Sequence, residues 1–332
     1  MKDLPRIFRS RTAGVSAALG ILIFTSVIAW QGIGEVVKVL GKAGWGLLLV
    51  TLFHLPPLWA DAMGWRTLTP GCQQPSRRFM LQARWIGESV NDLLPVFQMG
   101  GNIIKAWLLV GRGVQVGRAG ASVVIDITLI VLTQILFTLF GLCLATSILG
   151  SKGAIPVVIA GAGIIAILLS GFYAAQRRGF FSFVVAISRR LIGSPEWASV
   201  SKGAAMIDSD LLRLYRERRT VFTAGCWHIA AWFLGVFEVW FALDILGHPV
   251  DIGTAFLFES LGQAIRTGAF AVPGGLGIQE GGYVLVGSVL GIDPTVALAL
   301  SLARRVRELL LGIPGLVVWQ MSSMGQALRK RR

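Results

Sequence analysis

The chain has 332 residues, 54% hydrophobic and 14% charged, with a formal net charge of +14 and a mean hydropathy of +0.70. That balance excludes a solvated disordered chain, and apolar runs of about 20 residues predict one polytopic membrane domain over residues 1–332 rather than soluble domains. The positive charge does not describe a nucleic-acid surface, because Lys and Arg fall between the apolar runs and at the ends, where they set topology and meet anionic headgroups.

In chain order, Met1–Arg11 is basic and Thr12–Trp30 is apolar, which reads as a first transmembrane helix with its N-terminus in the cytoplasm. Gln31–Ala43 connects it to a second span, Gly44–Met63, whose Pro56-Pro57 pair predicts a kink used for packing or for a gated path. Gly64–Arg84 carries Arg66, Arg77, Arg78 and Arg84 and reads as a cytoplasmic basic loop. Trp85–Val110 is interrupted at Pro95-Val-Phe-Gln-Met-Gly-Gly-Asn102, and Arg112 and Arg118 follow it. Positive flanks on both sides, with pieces too short to cross comfortably, predict a re-entrant hairpin entered from the cytoplasm.

Ala119–Leu149, with Asp126 inside it, is the next span, and Ala154–Ala175 returns inward. Residues 176–220 hold nine Lys or Arg against four Asp or Glu, and read as a cytoplasmic basic linker with an interfacial helix over Phe180–Ile192. Val221–Leu246 goes outward and carries His228 and Glu238. A second broken run follows over 255–289. Pro273 stops its helix, Gly274, Gly275 and Gly277 allow a tight reversal, and Glu280 adds a charge beside the break. Non-helical backbone at membrane depth is tolerated only where protein buries it or it lines a wet cavity, so this run reads as a hairpin tip. Thr295–Met321 is the last span, and the basic 326–332 tail puts the C-terminus in the cytoplasm. Tryptophans near span ends, including Trp30, Trp65 and Trp319, read as interfacial anchors.

The predicted fold is thus an all-α integral membrane protein with six transmembrane helices and two re-entrant broken-helix hairpins. Each half reads span, span, hairpin, span, over 12–149 and then 154–321. The halves begin at opposite faces, which makes them inverted repeats, the layout of many secondary transporters. Glu88-Ser89 precedes Pro95, Gly100 and Gly101 much as Glu259-Ser260 precedes Pro273, and His54 and His228 hold comparable places one span earlier.

Ionisable groups inside a membrane are expensive and must pair or face water. Lys105, Arg266, Arg304, Arg305 and Arg307 share the apolar runs with Glu88, Asp92, Asp126, Glu238, Glu259, Glu280 and Glu308. Arg304, Arg305 and Lys105 suit an anionic headgroup, since guanidinium meets phosphate bidentately. Glu88, Glu259 and Glu280 would then hold the hairpins and exchange a proton with the headgroup or Arg266. The alternative is that these charges pair only to fix the broken helices, the role assigned to Glu238 and Asp126. No nucleophile motif or phosphate loop is present. The three cysteines and three histidines form no local disulfide or metal pattern, so neither catalysis nor a cofactor or metal is expected.

Pro95–Lys105 and Val272–Gly282 resemble the paired signatures of the flippase-like family related to the lysylphosphatidylglycerol synthase transmembrane domain. Phe258–Arg266, Gln279–Gly282 and Ala303–Leu310 are most similar to its hopanoid-biosynthesis-associated branch, HpnL. The resemblance implies a bacterial inner-membrane protein that handles a lipid, with a hopanoid or another polyprenyl-derived or anionic lipid as the expected class. The family's aminoacyl-transferase module does not follow the last span, so lysyl transfer is not expected. Two other functions are weighed: an intramembrane lipid-modifying transferase with His228 or Glu280 as base, and a scaffold for hopanoid biosynthesis enzymes that docks them through the 177–219 linker.

Overall fold

The computed structural model describes residues 41, 43–70, 74–94, 99–149, 170–183, 197–268 and 277–329. The expected first span, most of the fourth and most of the interfacial helix lie outside them. So do both hairpin tips, with Pro95, Pro273, Gly274 and Gly275. Every regular element among the described residues is helical, and three helices, Gly46–Thr67 (counted across its break), Val116–Ala145 and Arg218–Ile245, are long and apolar enough to cross a membrane.

The second span is not one kinked helix but two, α1 (Gly46–Phe53) and α2 (Leu55–Thr67), meeting at His54. Pro56 and Pro57 have no N–H to offer the carbonyls of Leu52 and Phe53, so the ladder fails there while the prolines start α2. Ser76 then caps α3 (Arg77–Leu93) by accepting the Phe79 N–H at 3.3 Å. The basic loop is therefore shorter than expected. Arg84 lies on α3, half-buried among helices, because the hydroxyl cap sets the helix start well before it.

Helix α3 packs on α4 (Gly100–Val110), the two arms expected of the first hairpin, and the approach is close. A Cβ on Gly101 would stand 1.9 Å from the Gly87 carbonyl oxygen, so the arms meet backbone to backbone. The long α5 (Val116–Leu149) follows, and α6 (Trp197–Arg216) packs along it. Helix α7 (Arg218–Ile245) leads to the second hairpin, α8 (Ile252–Gly268) and α9 (Ile278–Val289), and α10 (Pro294–Arg329) ends the described chain. Gly277 begins α9 at φ +79°, a conformation that strains any side chain with a Cβ.

Spans α2 and α7 pack together at the centre. The first hairpin rests through α3 on α10, and the second rests through α8 on α5. The indole of Trp85 fastens the first of these contacts by donating to the Leu311 carbonyl at 2.9 Å, one turn before Pro314. The core gathers Val236, Phe258, Tyr283 and Leu300 on one side and Trp65, Met80, Ile86 and Leu109 on the other. The outer faces are also apolar: Leu132, Leu136 and Phe140 on α5, Phe233 and Phe237 on α7, Leu309 and Ile313 on α10. An apolar exterior around a charged centre is what a lipid solvent selects.

Candidate functional site

Seven helices, α4 among them through Asn102 and Lys105, face a common cavity of about 570 Å³. The stripe on α3 is Arg84, Gly87, Glu88, Asn91 and Asp92, and that on α8 is Glu259, Gln263, Arg266 and Thr267. These are the i, i+3, i+4 and i+7 spacings that put side chains on one helical face. Helix α10 adds Arg304 and Arg307, and α7 adds Trp232, Gly235 and Glu238. His54 and Asp61 enter from α2 and its N-cap. From α5, Ile127, Ile130 and Val131 make an apolar wall that ends at Gln134. The cavity is charged on several sides and greasy along one.

Two of its charge clusters centre on histidines. In the first, Arg84 donates to Asp61 at 2.8 Å and to Asp126 at 3.3 Å, and Lys105 Nζ donates to the same Asp126 oxygen at 2.6 Å. His228 Nδ1 donates to Asp61 at 2.7 Å, while its Nε2 lies 3.2 Å from Asp126 Oδ1 without forming a hydrogen bond. Lys105 also stands 4.7 Å over the ring of Trp65. That tryptophan is fully buried and donates to Ser122, so it is a core wedge and not an interfacial anchor. Its position near a span end misleads because α2 runs on to Thr67 inside the bundle.

In the second cluster both ring nitrogens of His54 reach carboxylates, Nε2 to Glu88 at 2.8 Å and Nδ1 to Glu238 at 2.9 Å. Glu238 is held from its other oxygen by Arg307, and Arg304 donates to Glu259 and, at 2.7 Å, to the Tyr283 hydroxyl. A third chain runs beside it. Arg266 meets Asp92 at 2.8 Å and Glu308 at 3.2 Å, and Arg305 joins Glu308 to Glu280, each at 2.9 Å. The other oxygen of Glu280 accepts the Gly277 N–H at 2.6 Å, so this carboxylate closes the start of α9.

The residues proposed from the sequence separate accordingly. Glu88, Lys105, Glu259, Arg266 and Arg304 line the cavity together, whereas Glu280 and Arg305 stand outside its lining. Of the hairpin glycines, Gly100 and Gly101 open α4, and Gly277 caps α9. His54, Asp61, Arg84, Asp92, Glu238 and Arg307 also line the cavity, and sequence reasoning did not place them there. The available signal was spacing: Arg84, Glu88 and Asp92 recur every four residues, one face of one helix.

Helices long and apolar enough to span a membrane, packed around an internally charged cavity, define a polytopic membrane protein with a polar interior site. Residues 17–315 match the family described as the lysylphosphatidylglycerol synthase TM region, and the chain belongs to that family. Membership supports a function tied to membrane lipid. No curated protein and no solved structure matches the chain.

Proposed function

We propose that this protein moves an amphipathic lipid between leaflets, carrying the headgroup through the cavity while the apolar body stays against Ile127, Ile130, Val131 and the surrounding bilayer. The single observation that carries the proposal is the cavity itself. It has room for a headgroup, and Glu88, Glu259, Arg266 and Arg304 stand around it opposite an apolar wall. The role is that of a transporter rather than an enzyme: the charged groups bind and reorient a headgroup, and none acts as a nucleophile.

The finer layout belongs to the same proposal. It comprises six spans and two hairpins in inverted repeats over 12–149 and 154–321, with the 176–220 linker and both termini on the cytoplasmic side of a bacterial inner membrane. Its support is the exchange of partners in the bundle, where each half's hairpin rests on the long helix that follows the other half's hairpin. The basic linker faces anionic headgroups there. The resemblance to the hopanoid-associated branch makes a hopanoid or a related polyprenyl-derived or anionic lipid the substrate class, with hopanoid biosynthesis enzymes as neighbours.

The test is leaflet exchange in proteoliposomes. A fluorescent phosphatidylglycerol and a labelled hopanoid are loaded in one leaflet, and their loss to a membrane-impermeant quencher is followed. Movement above protein-free vesicles for either probe supports the proposal, and protein-free rates for both contradict it.

A further inference from the structure

The two histidine clusters differ in charge. Around His228, Asp61 and Asp126 are matched by Arg84 and Lys105, so the cluster is balanced before the ring is counted. Around His54, three carboxylates (Glu88, Glu238 and Glu259) face two cations, Arg304 and Arg307. One positive charge is missing, and the ring of His54 is where it belongs. Both its nitrogens stand within 2.9 Å of a carboxylate oxygen. Carboxylates only accept when ionised, so both contacts are hydrogen bonds only while the site holds one proton more than a neutral imidazole and two carboxylates carry.

Among the described residues no neighbouring element supplies a substitute cation. Helix α3 presents Arg84, Glu88 and Asp92 on successive turns, and Arg84 is taken by Asp61 of α2 and Asp126 of α5. From α7 comes Glu238, and from α8 come Glu259 and Arg266. From α10 come Arg304, Arg307 and Glu308, and the adjoining chain of Asp92, Glu308 and Glu280 against Arg266 and Arg305 is itself short of one positive charge. Access of the rings is also unequal. The side chain of His54 is 14% exposed and lines the cavity with Glu88 at 29%, whereas His228 is sealed at 0% and only its partner Asp61, at 22%, reaches the cavity.

We propose that His54, with Glu88 and Glu238, is a proton-binding site on the cavity wall, and that an anionic headgroup crosses together with the proton held there. The proposal rests on the lipid-moving function given above and names its coupling ion. With the proton on His54 the cluster is neutral and admits a phosphate among Arg266, Arg304 and Arg307. When the proton leaves through Glu88 to cavity water, the cluster carries one net negative charge and expels the anion. Proton occupancy and headgroup occupancy are then reciprocally linked.

The experiment uses the full chain in liposomes with a trace of fluorescent phosphatidylglycerol, a pH step of one unit across the bilayer, and the membrane potential clamped with potassium and valinomycin. One proton per lipid drives the probe to the leaflet facing the alkaline side, to a limiting ratio of about tenfold. In His54→Gln the ratio falls to about one. Rapid movement by the wild type to a ratio of one overturns proton coupling and leaves the lipid-moving function standing. No movement at all overturns that function instead.

A second readout judges the site in that case and does not depend on transport. In ¹⁵N-histidine spectra of the wild type, a His54 ring protonated on both nitrogens that loses a proton as pH rises supports the site. A ring that stays in one neutral tautomer from pH 5 to 9 overturns it, as does an imidazolium unchanged over the same range.

Discussion

The same constellation occurs twice in this molecule, a histidine between two carboxylates with arginine nearby, and the two copies differ in what surrounds them. The His228 copy joins α2, α3, α4, α5 and α7 around a buried His228 and Asp126, each at 0% exposure, and only its outer members Asp61, Arg84 and Lys105 reach the cavity. The His54 copy opens onto the cavity through Glu88. A charge cluster that is balanced, with its histidine closed off, holds helices together. One that meets water and lacks a matching cation can bind something. Residue type alone does not separate them; balance and access do.

The largest test of that contrast is Asp126→Ala. It strips the shared carboxylate from Lys105, Arg84 and His228, and leaving buried charges unpaired costs about 3–5 kcal/mol. The variant is expected to lose folded protein on size exclusion or to melt far below the wild type. Gly101→Ala attacks the same cluster by geometry. The new Cβ collides with the Gly87 carbonyl and forces apart the arms that carry Arg84 and Lys105, an overpacking penalty of about 1–3 kcal/mol visible as a lower Tm.

Glu88→Gln should invert the pattern. The side chain is partly exposed and the amide keeps an oxygen for His54, so the stability change stays under about 1 kcal/mol while leaflet exchange of the probe lipid is lost. A variant as unstable as Asp126→Ala would erase the distinction between the clusters. Arg305→Lys sharpens it further. Arg305 stands outside the cavity lining and joins Glu280 to Glu308, so the variant should cost about 1 kcal/mol and leave exchange intact. Loss of exchange there would return Arg305 to the headgroup site.

The smallest effect is expected far from both clusters, at the turn before α8. Asp251 accepts from the Thr254 hydroxyl at 2.6 Å and from the backbone N–H groups of Gly253 and Thr254, and these bonds hold its carboxyl below the usual aspartate range. A depressed carboxyl stabilises the fold above its unfolded pKa, near about 4, and that contribution is lost as pH falls through the lower folded value. Asp251→Ala should therefore lower the Tm slightly at pH 7, and the difference should vanish in strong acid.

Much of this was legible in the sequence because a membrane simplifies what a sequence must say. Apolar runs mark α5 and α7 directly, and charges inside apolar runs mark the centre of the bundle. What the sequence obscured is instructive residue by residue. Arg84 looked like part of a basic loop, since an arginine beside Arg77 and Arg78 gives the same topology signal whether it faces headgroups or a buried aspartate. Trp65 looked like an anchor because its burial depends on Lys105 and Ser122, 40 and 57 positions away in the chain. Arg305 suited a headgroup and Glu280 a hairpin, and both stand outside the cavity lining. They hydrogen-bond to each other, to Glu308 and to the start of α9. Pairing across helices is decided by packing register, which one-dimensional spacing does not encode.

The most direct measurement on the central claim is mass spectrometry of the lipids that co-purify with the wild type and with a Glu88→Gln, Arg266→Gln double variant. Both side chains line the cavity and both are partly exposed, and size exclusion checks that the variant folds before its lipids are compared. A defined lipid class enriched on the wild type and missing from the variant is the predicted result, and it would identify the headgroup the cavity accepts. The same bulk phospholipid on both proteins would contradict a headgroup site in the cavity and favour a scaffold that works through its basic linker.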